Sequence, residues 1–247
     1  MRSINSIRAE QVGSLLRPQA LLAAREARQA GELSDAGLTE LEDEAILAAL
    51  RRQAATHQQV YVDGEFRRTG FMTAFPDSVE GFVPDAYAPI AWKGGSGNEG
   101  ASPNTQLVIG KRLRSKKRIA KNEADFLKQH APGPFKITLP SPVNFAVIFW
   151  RRGRSESAYP TPTDFLSDAA SILASEAQAL ANDGTPYVQL DAPLYTHWAD
   201  DSLTAKYKEA GFDMDRFLSD AIAAENTIID AAAPALTGVH LCRGNSM

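Results

Sequence analysis

The chain has 247 residues, enough for one large domain or two small ones, and its 44% hydrophobic content suits a globule with a sizeable core. A net charge of −4 excludes a global positive field for nucleic acid, and one cysteine, Cys242, excludes an intramolecular disulfide and fits a reducing compartment. The start, Met1 to Ser6, lacks the apolar core of a signal peptide, and the longest strongly apolar run, Phe145 to Trp150, is too short for a bilayer, so a cytoplasmic protein without membrane association is expected.

Ala20 to Ala30 and Leu38 to His57 read as helices. In the second, Leu38, Leu41, Ala45, Ile46 and Ala49 recur near helical spacing. Thr39 with Glu42 forms a candidate capping box, with Ser34 as an alternative, earlier cap. Val60 to Asp63 reads as a short strand stopped by Gly64. Ala88 to Trp92 and Gln106 to Ile109 are strand-like and flank a polar, glycine-rich loop, Gly94 to Asn104; together they suggest an inserted hairpin. Lys111 to Lys121 carries seven basic residues in eleven. A solvated edge strand and helix start explains it better than a nucleic-acid site.

Thr163 to Asn182 is the clearest helix, with Phe165, Leu166, Ala169, Ile172, Leu173 and Ala177 on one stripe. Thr163 or Asp164 is its expected cap, and Gly184 lies just past its end. Tyr187 to Leu190 follows as a strand, Phe212 to Ala232 as a helix, and Leu236 to Cys242 as a last strand. Strands alternating with helices imply parallel βα units and an α/β fold.

Chemistry-bearing residues gather where strands should end. Val12-Gly13-Ser14 lies near the start, Asp63-Gly64-Glu65-Phe66-Arg67-Arg68 after the first strand, and Gln189-Leu190-Asp191-Ala192-Pro193 after a later one. In parallel α/β barrels the chemistry sits at these C-terminal strand ends. Each carboxylate also has a purely structural reading: Glu65 pairing with Arg67 or Arg68, and Asp191 capping a turn. His240 and Cys242 stand two apart after an apolar run. On a strand both would project from one face, as half a zinc site requires. A buried thiol beside an unrelated histidine is the competing reading.

These segments, with Leu139-Pro140-Ser141-Pro142 and in this order, resemble the cobalamin-independent methionine synthase family, in its zinc-binding barrel and short single-barrel relatives. The resemblance runs from about Arg8 to the last residue. It implies a (β/α)8 TIM barrel, here incomplete: one domain over residues 1–247 holding about the first five βα units and the inserted hairpin, and lacking the last strands. It further implies transfer of a methyl group to the thiol of homocysteine, giving methionine. His240 and Cys242 match two zinc ligands, Glu65 and Asp191 the acids that hold the amino group of homocysteine. Ser14, beside Gly13, matches the residue near the homocysteine carboxylate, with a backbone N–H as expected donor. A cationic metal would stabilise the thiolate of a thiol whose ordinary pKa is about 8.5.

The family's two further zinc ligands, a glutamate and a second cysteine, come from later strands, and only five residues follow Cys242. A truncated copy of a longer enzyme is therefore expected. The rival readings are a thiol alkyltransferase using an epoxide or methyl-corrinoid donor with a coenzyme-M-like thiol, and an inactive fragment or pseudoenzyme. Retention of both Glu65 and Asp191 favours an amino-acid thiol. A metal-free decarboxylase is disfavoured by His240 and Cys242. The partners are thus a small thiol and a methyl donor of open identity, and homo-oligomerisation stays open.

Overall fold

The structure is a computed structural model that describes residues 10–85 and 107–242. Two helices come first. Helix α1 (Gln19–Gln29) starts after Pro18, whose fixed φ suits a helix entrance, and buries Leu21 and Ala24. Helix α2 (Asp35–Ala55) is capped by Ser34, whose hydroxyl accepts from the Gly37 N–H at 3.1 Å. Thr39 is inside this helix, its hydroxyl bonded to the Asp35 carbonyl at 2.9 Å, so the earlier of the two expected caps is the one in use. Buried Gln53 then ties α2 to the extended segment 60–63: its amide accepts from Val62 N–H at 3.0 Å and donates to Val62 C=O at 2.8 Å.

A short helix, α3 (Ala74–Ser78), leads into β1 (Val79–Pro84), which pairs antiparallel with β2 (Leu107–Ser115). The hairpin is present, but its first strand is 79–84; the expected strand 88–92 and loop 94–104 lie outside the described residues. The basic run is the end of β2 and the start of α4 (Lys121–His130), and three of its members are ion-paired: Arg112 with Asp168, Arg118 with Glu176 and Asp183, Lys121 with Asp125.

The remaining strands are parallel. β3 (Lys136–Pro140), β4 (Tyr187–Asp191) and β5 (Leu236–His240) form a sheet in that order, with Pro140, Asp191 and His240 aligned at their C-terminal ends. Tyr61 extends the sheet by a parallel bridge to Phe135. The pairing among the described residues is that of an open parallel sheet rather than a closed barrel. Every residue of β3 and β4 is buried, as strands covered on both faces require.

Helix α5 (Pro142–Phe149) follows β3 and is buried along its whole length; Phe145 stacks on Phe75 with ring centroids 4.5 Å apart. Helix α6 (Pro162–Asn182) is capped by Thr161, which forms a capping box with Asp164, two residues before Thr163, the earlier of the expected caps. A 3-10 helix (Pro193–Ala199) and α7 (Asp201–Glu209) precede α8 (Met214–Ala231), which packs on α6. No helix among the described residues is long and apolar enough to cross a membrane.

Candidate active site at the strand ends

Side chains i and i+2 of a strand share a face. One face of β3 therefore carries Lys136 and Thr138, and the same face of β4 carries Gln189 and Asp191, with Thr138 opposite Gln189 in register. His240 closes the row on β5, opposite Asp191. Lys136, Thr138, Gln189 and Asp191 are buried, so each needs a partner.

Glu65 is 1% exposed and holds a left-handed backbone conformation, φ +56°, directly after Gly64 at +72°. That double bend turns its carboxylate back toward the sheet. Oε1 accepts from the Thr138 hydroxyl at 2.6 Å and Oε2 from the Ser14 hydroxyl. Arg68 Nη1 lies 3.7 Å from Oε1. The structural partner considered for Glu65 is thus Arg68; Arg67 pairs instead with Asp43 and Glu42. Arg68 is itself buried, bound through its guanidinium to Glu123 and to the Thr138 carbonyl at 2.9 Å. Arg17 donates to the carbonyls of Arg68 at 2.9 Å and Glu65 at 3.3 Å, so the N-terminal segment is fastened to the same loop.

Asp63 is fully buried here. One oxygen accepts from the Glu65 N–H at 2.9 Å; the other has no hydrogen bond among the described residues. Burial first, and then the neighbouring Glu123 carboxylate, push its pKa up to about 7, against the pull of Arg68. Three carboxylates, Asp63, Glu65 and Glu123, thus share the field of Arg68, with Arg17 beside them.

Asp191 sits beside Gln189, whose amide donates to its Oδ1 at 2.6 Å and to the Val12 carbonyl at 2.8 Å. Its own carbonyl accepts from Ser141 N–H and the Asn144 amide, both at 2.9 Å, which ties the end of β4 to the start of α5. His240 Nδ1 is 3.3 Å from Asp191 Oδ1, within ion-pair reach if the imidazole is protonated, but not aligned as a hydrogen bond.

The structure therefore links Gly13, Ser14 and Glu65 in one cluster and Asp191 and His240 in another. Thr138, Gln189 and the 12–14 segment lie between them. Cys242 departs from expectation. β5 ends at His240, because β4 turns away after Asp191 into the 3-10 helix that starts at Pro193, which has no N–H to donate. Cys242 lies two residues beyond the strand, so strand alternation no longer fixes its direction. Among the described residues no three His, Cys, Asp or Glu side chains are grouped to hold a metal. His240 and Cys242 have the donor chemistry of zinc ligands, but the described residues do not complete a zinc site.

Sequence reasoning passed over Thr138 and Lys136, and named Asp63 in its strand-end cluster without giving it a role. A lysine and a threonine two apart in a short strand, Lys136-Ile-Thr138, were the available signal for a polar inner face. A groove of about 520 Å³ between α6 and α8 is separate: Ser171, Ser175, Ala223 and Thr227 line it, and no strand-end residue does.

Residues 8–245 match the family described as cobalamin-independent synthase, catalytic domain. The chain belongs to the cobalamin-independent synthase catalytic-domain family. Among the curated proteins similar to this chain is the uncharacterised YxjH of Bacillus subtilis, 28% identical over 243 residues, covering 96% of this chain and 62% of that protein. A methionine synthase of Sulfurisphaera tokodaii is 26% identical, covering 80% of this chain and 56% of that one. Among solved structures, a putative vitamin-B12-independent methionine synthase from Listeria monocytogenes superimposes with a TM-score of 0.71 at 23% identity, covering 96% of this chain and 65% of that chain. A B12-independent methionine synthase from a Shewanella species, solved with selenomethionine, gives 0.65 at 21%, covering 86% and 55%. The fold is thus an α/β fold like that of B12-independent methionine synthases, and the chain spans less than two thirds of the length of these relatives.

Proposed function

We propose that the chain is a single incomplete (β/α)8 barrel domain of a cytoplasmic S-methyltransferase that moves a methyl group to the thiol of homocysteine, giving methionine. The observation that carries this reading is that two buried carboxylates, Glu65 in the turn after segment 60–63 and Asp191 at the end of β4, bond to the facing side chains Thr138 and Gln189 in a chain of this family. A substrate ammonium is costly to bury unpaired, and two fixed carboxylates with remaining acceptor capacity suit it. Glu65 has an oxygen each on Ser14 and Thr138 and shares Arg68 with Glu123, and Asp191 has Oδ1 on Gln189, so the hydroxyl and amide donors orient the acids without neutralising them.

Zinc is the cofactor of this reading, with His240 and Cys242 as its two candidate ligands in the described chain. Those two residues alone do not complete a site. What the chain itself supplies is recognition: carboxylates for the amino group, and Gly13 with Ser14 as the adjoining wall.

The test is calorimetric binding of L-homocysteine by the 247-residue chain under reducing conditions, against its analogue lacking the amino group, 4-mercaptobutanoate. The reading expects preference for homocysteine. Glu65→Gln or Asp191→Asn should remove roughly tenfold or more of that affinity. Preference for a sulfonate thiol without an amino group would favour the coenzyme-M-like alternative. Methionine formation with a supplied methyl donor then separates an active enzyme from a binding fragment.

A further inference from the structure

The same face of the sheet carries a buried charged column that the binding scheme above does not use. Lys136 is at the far end of β3, 1% exposed. Its ammonium donates to Gln189 Oε1 at 2.7 Å and to Glu10 Oε1 at 3.1 Å, and lies 5.4 Å from the centre of the Tyr187 ring. Gln189 Nε2 in turn donates to Asp191 Oδ1 and the Val12 carbonyl.

An amide side chain has an acceptor end and a donor end, and nothing in its shape says which way round it sits. Here its neighbours decide. A lysine ammonium has only protons to offer, so it must face Oε1. A carboxylate oxygen and a backbone carbonyl only accept, so they must face Nε2. The three neighbours agree on one orientation, and reversing the amide would set acceptor against acceptor at Asp191 and donor against donor at Lys136. A cation buried two residues down the sheet thus fixes the polarity of the group that holds Asp191.

We infer that Lys136 and Gln189 are positioning residues for amino-group recognition: Lys136 orients the Gln189 amide, and Gln189 holds Asp191 Oδ1 so that the rest of the carboxylate is set toward the ammonium of the ligand. The inference rests on the reading of Asp191 as an ammonium-binding acid. It predicts that a change at the bottom of β3 alters selectivity at the top of β4 without touching the ligand.

The experiment uses the full 247-residue chain, L-methionine, and 4-(methylthio)butanoate, which is methionine without its amino group. Neither ligand has a thiol, so metal loading does not enter. Isothermal titration is run on the wild type, Gln189→Met and Lys136→Met, which keep side-chain length and remove the donors. The wild type is expected to prefer methionine. Each variant should bind methionine at least about tenfold more weakly while its affinity for 4-(methylthio)butanoate changes less than about twofold. Equal weakening of both ligands would mean a merely structural role and overturn the inference, as would unchanged selectivity. Failure of both variants to melt cooperatively would overturn it too, since the column would then be a folding element. A wild type that ignores the amino group is a different result: it removes the ammonium-binding reading itself, and the inference with it.

Discussion

Gly13 lies directly against Glu65. A Cβ added at position 13 would stand 2.7 Å from Glu65 Oε1 and 3.1 Å from Thr138 Cγ2, closer than ordinary van der Waals contact. Glu65 cannot swing aside cheaply, because Thr138, Ser14 and Arg68 hold it.

Gly13→Ala should therefore displace the Glu65 carboxylate. The expected result is a stability loss of about 1–3 kcal/mol, typical of overpacking a tight interior, with a loss of methionine affinity comparable to that of Glu65→Gln. Urea unfolding and calorimetry on the two variants check both parts. Normal affinity in Gly13→Ala would show that the carboxylate is not held where the contacts place it.

Ser14→Ala should be milder. It removes one donor to Glu65 Oε2 and leaves Thr138 and Arg68 in place, a loss of about 1 kcal/mol in stability. The sequence points to the backbone of Ser14 as a ligand contact; the hydroxyl, by contrast, is engaged by Glu65. Binding in Ser14→Ala should fall less than in Glu65→Gln, and an equal loss would assign the hydroxyl to the ligand.

Arg68→Met should be the most damaging of the single changes. Arg68 is buried and holds Glu123 through both ends of its guanidinium, so its removal strands a buried carboxylate. A loss of about 3–5 kcal/mol is expected, read by denaturant midpoint. A change below about 1 kcal/mol would mean that solvent reaches Glu123.

Asp63 gives a pH signature. Its folded-state pKa is raised from 3.8 to about 7, with burial as the main cause. Its favourable contribution is complete below about pH 4, where both folded and unfolded carboxyls are protonated. It is lost as pH rises toward 7, because the unfolded chain releases its proton first. Asp63→Asn keeps an oxygen for the Glu65 N–H and cannot ionise. Relative to the wild type it should gain stability steadily between about pH 4 and 7 and no further above that. Unfolding at pH 4.5 and 7.5 measures the difference, and a gap independent of pH would refute the assignment.

Zinc retention is expected to be poor. The described residues offer two ligands of zinc chemistry, and catalytic zinc sites ordinarily use three from the protein. Metal analysis of the dialysed 247-residue chain should find well under one equivalent. One full equivalent would require further ligands.

Much of this was readable in advance, and the misses have physical causes. Helices α2, α6 and α8 announce themselves by apolar stripes at 3.6-residue spacing, and Asp191 and Glu65 by carboxylates placed after buried strands. Strand β1 did not, because Val79-Glu80-Gly81-Phe82 breaks its alternation with a bulge at Gly81, φ +121°. The cap of α6 moved to Thr161 because Pro162 takes the first helical position, where its missing N–H is harmless. The alignment of Lys136 and Thr138 with Gln189 in one inner row was hidden for another reason. Each is an unremarkable polar residue in sequence, and only the parallel register brings the three together.

Position 65 sets two demands on one residue. Its backbone sits at φ +56°, where a side chain with a Cβ is strained and glycine is at ease, and Gly64 before it has the same hand. For the backbone alone, a second glycine would serve better there. Glu65 is what the chain carries instead, and its bonds to Thr138 and Ser14 and its pairing with Arg68 offset that strain. Glu65→Gly would ease the turn yet leave a void and sever the tie between Ser14 and Thr138, so this one side chain stitches the 12–14 segment to β3.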